Sequence, residues 1–129
     1  MYAANVLVVD DSPTMRQFIV FALQRLPNLH IEEAGDGVAA LKKLSAQKYD
    51  LLLTDINMPM MDGLKLVELV RNDRLYERLP IIVITTEGSD VTRERALQTG
   101  ADEFVTKPLQ TARLIEVVRR LLDPEARRD

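Results

Sequence analysis

Short apolar runs alternate along this chain with longer segments in which apolar residues recur every three or four positions. We place the runs at residues 5–9, 30–34, 49–54, 81–84 and 103–106. The first run, at residues 5–9, is short, β-branched and apolar, as a strand buried on both faces should be, whereas the runs at 30–34 and 103–106 are weaker. The longer segments have the spacing of helices with one buried face. Their apolar stripes consist of Met15, Phe18, Ile19, Ala22, Leu23 and Leu26; of Val38, Leu41 and Leu44; of Leu64, Val67, Leu69 and Val70; and of Leu114, Ile115, Val117, Val118, Leu121 and Leu122.

Cap and turn residues predict where several of these elements begin and end. Ser12 is a suitable cap for the first helix, which ends near residues 27–28. Proline and glycine predict a loop over 57–63. A polar helix is expected over 88–99, with Gly100 as its C-terminal cap.

Strands that alternate with helices favour a parallel sheet covered by helices on both faces. The predicted fold class is therefore α/β, doubly wound, with five βα units and right-handed crossovers. Five-stranded chains of this kind commonly adopt the flavodoxin-like order 2-1-3-4-5, in which the first and third strands are neighbours. In such a sheet the carboxyl ends of the strands lie at one edge, where ligands bind.

Length and composition limit the remaining alternatives. The 129 residues fit a single domain (1–129), with a core over 5–122 and a polar tail over 123–129. The chain has no cysteine and no signal-like or membrane-spanning apolar segment, so we expect a cytoplasmic protein that does not insert into membranes. A net charge of −3 without a basic stripe disfavours direct binding of nucleic acid.

Chemically capable side chains follow four of the predicted strands. Asp10 and Asp11 follow the first strand, Asp55 the third, Thr85 the fourth and Lys107 the fifth. Each has an ordinary explanation when taken alone, as a turn former, a helix cap, a strand residue or a solvated charge. At a common sheet edge, however, three carboxylates, a hydroxyl and an ammonium group would meet in one pocket.

Three neighbouring carboxylates repel one another unless a cation neutralises them. Oxygen ligands suit Mg²⁺, with Mn²⁺ as an alternative, and the lack of histidine or cysteine near these aspartates disfavours zinc. A carboxylate is also a nucleophile that can accept a phosphoryl group as an acyl phosphate. Lys107 and Thr85 would supply a positive charge and a hydroxyl for the phosphoryl oxygens. The sequence has no glycine-rich phosphate loop, which disfavours nucleotide binding.

The sequence resembles the receiver domains of two-component response regulators, and most nearly the single-domain chemotaxis regulators of the CheY type. The resemblance covers about residues 5–122 and depends on an ordered set of motifs, each of which is weak alone. These motifs are Asp10-Asp11-Ser12, Asp55-Ile56-Asn57-Met58-Pro59, Met61-Asp62-Gly63, Thr85, Gly100-Ala101 and Lys107-Pro108.

The resemblance implies a phosphoacceptor and a metal site. Asp55 is the implied phosphoacceptor, and the donor is the phosphohistidine of a sensor histidine kinase or of its phosphotransfer domain. Asp10, Asp11 and Asp55, together with the backbone carbonyl of Asn57, are the implied ligands of Mg²⁺.

The resemblance also implies a switch. Thr85 and Lys107 contact the phosphoryl oxygens, the peptide bond before Pro108 is cis, and Phe104 packs inward when Thr85 moves toward the phosphate. Phosphorylation adds about two negative charges and reshapes the face of the fourth helix, fifth strand and fifth helix, where a downstream protein binds. We expect this face to carry Gly88, Arg93, Phe104, Val117 and Arg120. The protein would be a monomer or a weak phosphorylation-dependent dimer.

Some positions bear on how fast such a switch resets and what it binds. Phe104 stands where chemotaxis regulators often have tyrosine, so a hydroxyl contact is lost; an ordinary core aromatic is the alternative role. Thr86 stands where alanine or glycine is usual, and its branched side chain narrows access to the acyl phosphate. Asn57 and Glu87 flank the site at positions that tune hydrolysis in the family. We expect a phosphorylated lifetime of seconds to minutes.

Other functions account for parts of the sequence. A phosphorelay or developmental receiver of the same family has the same motifs. A small Asp-nucleophile phosphatase of the haloacid dehalogenase type needs an acid/base two residues after its nucleophile, where this chain has Asn57. A flavodoxin-like electron carrier needs a phosphate-binding loop where Asp10 and Asp11 would repel phosphate. We therefore expect a signalling phosphoacceptor that catalyses only its own phosphorylation and dephosphorylation.

Overall fold

Five parallel strands form one sheet in the computed structural model, which describes residues 3–123. The strands are β1 (Ala4–Val9), β2 (Leu29–Ala34), β3 (Leu51–Asp55), β4 (Ile81–Thr85) and β5 (Glu103–Thr106). Their order is β2-β1-β3-β4-β5, so the predicted flavodoxin-like order is confirmed. The predicted tail beyond Asp123 lies outside the described residues.

Helices connect the strands and cover both faces of the sheet. They are α1 (Pro13–Leu23), α2 (Gly37–Ala46), α3 (Gly63–Arg71), α4 (Asp90–Thr99) and α5 (Thr111–Leu122), with a short 3-10 turn at Arg74–Tyr76. Helices α2, α3 and α4 pack on one face, and α1 and α5 pack on the other. Among the helices of residues 3–123, none combines the length and the apolarity that a membrane crossing requires.

Alternate residues of the central strands point to opposite faces, and both faces are buried. Leu7 and Leu52 belong to the apolar cluster beneath α2, α3 and α4. Val8 and Leu53 belong to the cluster beneath α1 and α5. Burial on both sides explains why these strands are apolar throughout rather than alternating between apolar and polar residues.

Side-chain caps fix the starts of four helices. Ser12 accepts the N–H of Met15 at α1, and Asp36, Asp62 and Ser89 accept equivalent N–H groups at α2, α3 and α4. Loss of such a cap typically costs about 1 kcal/mol. Because each cap lies in the loop that follows a strand, the caps also hold these loops at the carboxyl edge of the sheet.

Several observed boundaries differ from the predicted ones because a local hydrogen bond replaces the regular pattern. α1 ends at Leu23 rather than near Pro27, and the N–H of Leu26 then bonds back to the carbonyl of Leu23 as a turn. α4 begins at Asp90, since the Ser89 side chain forms its cap. β3 begins at Leu51. The residue before it, Asp50, accepts the N–H of Asn5 on its carboxylate at 2.8 Å.

Two residues predicted on buried stripes are exposed. Phe18 is 40% exposed and Val38 is 48% exposed. On α1 the buried positions are Ile19, Ala22 and Leu23, so only the side facing the sheet is covered. These helices carry apolar residues on more than one side, and the apolar spacing alone does not say which side faces the sheet.

Arg71 joins the ends of α3 and α4. Its Nε donates to the carbonyl of Gly100 at 2.9 Å, its Nη1 to the carbonyl of Tyr76 at 2.8 Å, and its Nη2 to Asp102 at 2.9 Å. Gly100, as predicted, ends α4, with a φ of 127° that favours glycine. The carboxylate of Asp102 also accepts the N–H of Ile81 at 2.8 Å. The C-terminal end of α4 is thereby tied to α3 and to the start of β4.

Candidate functional site

The polar residues predicted at the strand ends do meet at one edge of the sheet. Asp10 directly follows β1, and Asp55 is the last residue of β3. The register pairs Val9 with Thr54, which places Asp10 beside Asp55 on neighbouring strands. Carboxylate oxygens of Asp10, Asp11 and Asp55 all lie within 4.8 Å of one another. The predicted acidic cluster is therefore present in the fold.

Asp10 is the most firmly held of the three aspartates. It is only 1% exposed. Its Oδ1 accepts the N–H of Ser12 at 2.8 Å, and its Oδ2 lies 3.4 Å from Nζ of Lys107. Asp11, by contrast, is exposed at the mouth of the pocket. The pocket thus has one buried and one accessible carboxylate beside Asp55.

Lys107 extends from the end of β5 into the same pocket. Its Nζ lies 3.4 Å from Asp10 Oδ2 and 3.5 Å from Asp55 Oδ1, and its side chain is 12% exposed. Its backbone N–H donates to the carbonyl of Thr85 at 2.8 Å. The peptide bond between Lys107 and Pro108 is cis, the geometry that the resemblance implied. The ammonium group is therefore placed between two carboxylates by a backbone that is bonded to β4.

Burial raises the pKa of the Asp55 carboxyl above its ordinary value, because the ionised form loses contact with water. The Lys107 ammonium lowers this pKa in part, and the negative charge of Asp10 raises it further. A hydrogen bond from the N–H of Ile56 also favours the ionised form, but burial outweighs it. The ionised form of Asp55 is therefore destabilised in this pocket, and a further cation would stabilise it.

The donor set suits a hard divalent cation. Three carboxylates within 4.8 Å offer oxygen ligands only, and the exposed Asp11 leaves an approach from solvent. Mg²⁺ commonly binds through one or two carboxylates and keeps several waters, so an open acidic pocket of this kind fits it. Asn57, the predicted carbonyl ligand, lies two residues beyond Asp55 in the exposed loop before α3.

The predicted switch and tuning residues lie on β4, in the loops after β3 and β4, and on β5. Thr85 ends β4 and is fully buried, and its Oγ1 accepts the N–H of Glu87 at 3.1 Å. Thr86 and Glu87 are exposed at the rim. Phe104 is 5% exposed and packs in the cluster beneath α2, α3 and α4, so its ring already lies in the inward position.

Two residues predicted on the face of α4, β5 and α5 are buried instead: Phe104, which is 5% exposed, and Val117. Gly88, Arg93 and Arg120 are exposed, as expected. Val117, however, is fully buried in the cluster beneath α1 and α5. It lies on the side of α5 that packs against the sheet, so its assignment to the binding face was wrong.

Two residues support the site without having been predicted to do so. Gly63 begins α3 against the backbone of Asp55: a Cβ there would lie 2.0 Å from the Asp55 carbonyl oxygen. Its place in the Asp62-Gly63 pair indicated a turn but not this close approach. Arg16, on the first turn of α1, donates from Nη1 to the carbonyl of Asp10 at 2.6 Å. No sequence signal indicates this contact.

The strand order and the acidic pocket are those of a phosphoacceptor domain in bacterial signalling. The family model of the response regulator receiver domain matches residues 6–119, and the chain belongs to this family. Members of the family are signalling phosphoacceptors rather than enzymes with a separate substrate. The resemblance stated from the motifs is thereby confirmed.

Known relatives match four fifths or more of the chain. Chemotaxis protein CheY1 of Helicobacter pylori is 46% identical over 105 residues, which cover 81% of this chain and 85% of the relative. The structure of the chemotaxis response regulator CheY4 of Vibrio cholerae has a TM-score of 0.87 and 35% identity, covering 94% of this chain and 100% of that one. The receiver domain of the sensor histidine kinase PA1611 of Pseudomonas aeruginosa, solved with a magnesium ion in its active site cleft, has a TM-score of 0.84 and 28% identity over 94% and 98% of the two chains.

Proposed function

We propose that this protein is a response regulator that accepts a phosphoryl group on Asp55 and thereby controls the binding of a downstream protein. The observation that carries this proposal is the meeting of the Asp55 carboxylate, the Lys107 ammonium and two further carboxylates at one sheet edge. The donor is the phosphohistidine of a sensor histidine kinase or of its phosphotransfer domain. Residues 1–129 act as one receiver domain in the cytoplasm, without membrane insertion or direct contact with nucleic acid.

The transfer requires an ionised carboxylate in line with the bond that breaks. An Asp55 carboxylate oxygen attacks phosphorus, the bond from phosphorus to the donor nitrogen breaks, and its electron pair remains on the imidazole. The Lys107 ammonium, 3.5 Å from Asp55 Oδ1, offsets the charge on the transferred group. The hydroxyl of Thr85 donates a hydrogen bond to one phosphoryl oxygen. Positioning and charge neutralisation of this kind account for most of the catalysis of phosphoryl transfer.

The carboxylates of Asp10, Asp11 and Asp55 and the backbone carbonyl of Asn57 would hold Mg²⁺, with Mn²⁺ as an alternative. When bound, the cation supplies positive charge for the phosphoryl oxygens. The coordinated magnesium in the PA1611 receiver supports this assignment. The side chains then have separate roles: the carboxylates would hold the cation, whereas the Lys107 ammonium and the Thr85 hydroxyl contact the phosphoryl oxygens directly.

The output surface comprises α4, β5 and α5. Thr85 is the moving part of the switch, because its hydroxyl leaves the N–H of Glu87 to contact the phosphoryl group, and the Phe104 ring, already buried, provides the inward position that goes with this state. The exposed residues Gly88, Arg93 and Arg120 then lie on the surface that a protein partner contacts. The protein is a monomer or a weak phosphorylation-dependent dimer.

Chemotaxis or motility control is the pathway that the relatives favour, since CheY1 and CheY4 are both chemotaxis proteins. The PA1611 receiver belongs to a sensor histidine kinase, which keeps a phosphorelay role as the second candidate. Binding partners captured with and without beryllium fluoride as phosphoryl mimic distinguish the two. A flagellar motor protein supports chemotaxis, whereas a histidine phosphotransfer protein alone supports a relay.

Incubation with acetyl phosphate and Mg²⁺, followed by intact mass measurement, tests the central proposal. We expect a mass gain of one phosphoryl group in the wild type, because Asp55 is the nucleophile. The gain should disappear in Asp55→Asn and in the presence of a chelator, and it should persist in Asp90→Asn, which removes an exposed aspartate from α4. A folded wild-type protein without any adduct would contradict the proposal.

The phosphorylated state should decay with a half-life of seconds to minutes, and Thr86→Ala should shorten it. Thr86 is exposed at the rim beside Thr85, where its branched side chain narrows the approach of water to the acyl phosphate. Phosphate release after removal of the donor measures the decay, with Ser45→Ala on the exposed side of α2 as the control. A wild-type half-life of many hours, or an unchanged rate in Thr86→Ala, is the opposing result.

A further inference from the structure

Arg16 lies outside the acidic pocket but contacts its backbone. Its Nη1 donates to the carbonyl of Asp10 at 2.6 Å, and its Nε donates to Oε1 of Glu33 at 3.1 Å. A Cβ at Gly35 would lie 3.5 Å from Nη1, so the guanidinium packs beside this glycine. The side chain is 19% exposed. One side chain therefore joins α1, the end of β1 and the end of β2.

The carbonyl that Arg16 contacts belongs to the peptide group between Asp10 and Asp11. The carboxylate of Asp10 has its own contacts, from the N–H of Ser12 at 2.8 Å and from Lys107 at 3.4 Å. Asp11 is exposed, and its Cα is placed by the plane of the peptide group that precedes it. A contact at the Asp10 carbonyl therefore acts mainly on the position of the Asp11 carboxylate.

We propose that Arg16 is a positioning residue for the cation site. It holds the Asp10 carbonyl, is itself held by Glu33, and so fixes the peptide group from which Asp11 presents its carboxylate. This inference rests on the proposed binding of Mg²⁺ by Asp10, Asp11 and Asp55. Hydrogen bonds behind the ligands of a metal orient those ligands, and their loss typically lowers metal affinity by about 10–100-fold.

A purely electrostatic role of Arg16 predicts the opposite change in Mg²⁺ affinity, namely tighter rather than weaker binding when Arg16 is removed. The guanidinium is a positive charge close to a cation site, so its removal alone should tighten the binding of Mg²⁺. Arg16→Ala therefore separates positioning from electrostatics by the direction of the change. Arg16→Lys retains the charge but loses the planar fork that contacts two acceptors at once.

Titration of the amide chemical shifts with Mg²⁺ measures the dissociation constant in each variant. For Arg16→Ala and Arg16→Lys we expect a constant raised by about tenfold, the lower end of the usual range. Glu33→Gln, which weakens the contact between Arg16 Nε and Glu33, should raise the dissociation constant by less. Arg25→Ala, which removes the same charge from an exposed position beyond α1, should bind Mg²⁺ as the wild type does. Wild-type affinity in both Arg16 variants, or tighter binding in Arg16→Ala, overturns the proposal.

A double-mutant cycle tests the route through Asp11. In an Asp11→Asn background, Arg16→Lys should cause little further weakening, because the carboxylate that it orients is gone. Equal weakening in both backgrounds overturns this route. The rate of phosphorylation by acetyl phosphate adds a second readout. It should return to the wild-type value in Arg16→Lys at saturating Mg²⁺, whereas a generally damaged fold would lower the rate at every concentration.

The outcomes for the two proposals are distinguishable. No Mg²⁺ binding by the wild type would overturn both the cation site and the role of Arg16. Normal binding by the wild type together with unchanged binding by the Arg16 variants would overturn the role of Arg16 alone. Where Arg16→Ala does not fold by circular dichroism, Arg16→Lys decides the question.

Discussion

Replacement of Gly63 by alanine should lower the free energy of unfolding by about 3 kcal/mol, the upper part of the usual range for overpacking. A Cβ at this position would lie 2.0 Å from the carbonyl oxygen of Asp55 and 2.9 Å from Cα of Ile56. Both are backbone atoms, so no side-chain rotation relieves the clash. The N–H of Gly63 also donates to the carbonyl of Ile56 at 2.8 Å, which holds α3 against the end of β3.

Urea denaturation followed by circular dichroism measures this effect. Gly35→Ala is the matched control, because Gly35 is exposed and its added Cβ would meet only Arg16 Nη1 at 3.5 Å. We expect the control to change the free energy of unfolding by no more than about 0.5 kcal/mol. Gly63→Ala should in addition slow phosphorylation, since the displaced backbone is that of Asp55. Equal stability of the two variants would show that α3 can move away from β3 without cost.

Replacement of Asp55 by asparagine should have the opposite effect and raise the free energy of unfolding at neutral pH. The ionised carboxylate of Asp55 is nearly buried and lies near those of Asp10 and Asp11. Asparagine has almost the same shape without the charge, so desolvation and repulsion are removed together. We expect a gain on the order of 1–3 kcal/mol, from Coulomb interactions at an effective dielectric constant near about 20.

The increase in the free energy of unfolding that Asp55→Asn brings should depend on pH. The pKa of Asp55 is raised in the folded protein, so the folded state holds this proton more tightly than the unfolded state does. The contribution of Asp55 to the free energy of unfolding therefore falls as the pH rises from the ordinary pKa of aspartate through the raised one. Below that window Asp55 is protonated in both states. The difference between the wild type and Asp55→Asn should accordingly be largest at neutral pH and vanish in acid.

Addition of Mg²⁺ should reduce the difference in stability between the wild type and Asp55→Asn. A cation that binds only the folded state stabilises that state. The wild type gains more from this than the variant does, because it has one more carboxylate ligand. Glu94→Gln removes one negative charge from the exposed surface of α4 and should change stability by no more than about 0.5 kcal/mol. A destabilised Asp55→Asn variant at neutral pH and low Mg²⁺ would mean that the attraction of Lys107 exceeds the cost of burying the charge.

The sequence was sufficient to predict the strand order and the meeting of the polar residues. Parallel strands bring their carboxyl ends together whatever the loops between them do. Asp10, Asp55 and Thr85 follow or end short, strongly apolar runs, so their position at one edge follows from topology alone. Lys107 follows a weaker run, but its backbone bond to Thr85 keeps it at the same edge.

Contacts between a side chain and a distant backbone group were not predictable from the spacing of residues. Arg16 bonds to a carbonyl, and every residue has a carbonyl, so no residue type marks its partner. The close approach of Gly63 to Asp55 depends on the distance between α3 and β3, which the periodicity of α3 does not determine. Val117 lies on a broad apolar stripe, and the side of that stripe facing the sheet depends on how α5 packs.

The hydrogen bonds of Arg71 to Gly100 and Asp102 anchor the C-terminal end of α4, so the helix can pivot about Gly100 as a lever pivots about its fulcrum. The helix has 10 residues and is therefore about 15 Å long. Of its residues only Ala96 is buried, near the fulcrum, while the opposite end follows the exposed residues 86–89 beside the pocket. A small displacement there would swing the helix about its anchored end, so that motion decreases along its length. Partner residues contacting Asp90 or Val91 would then sense phosphorylation more strongly than those contacting Gln98.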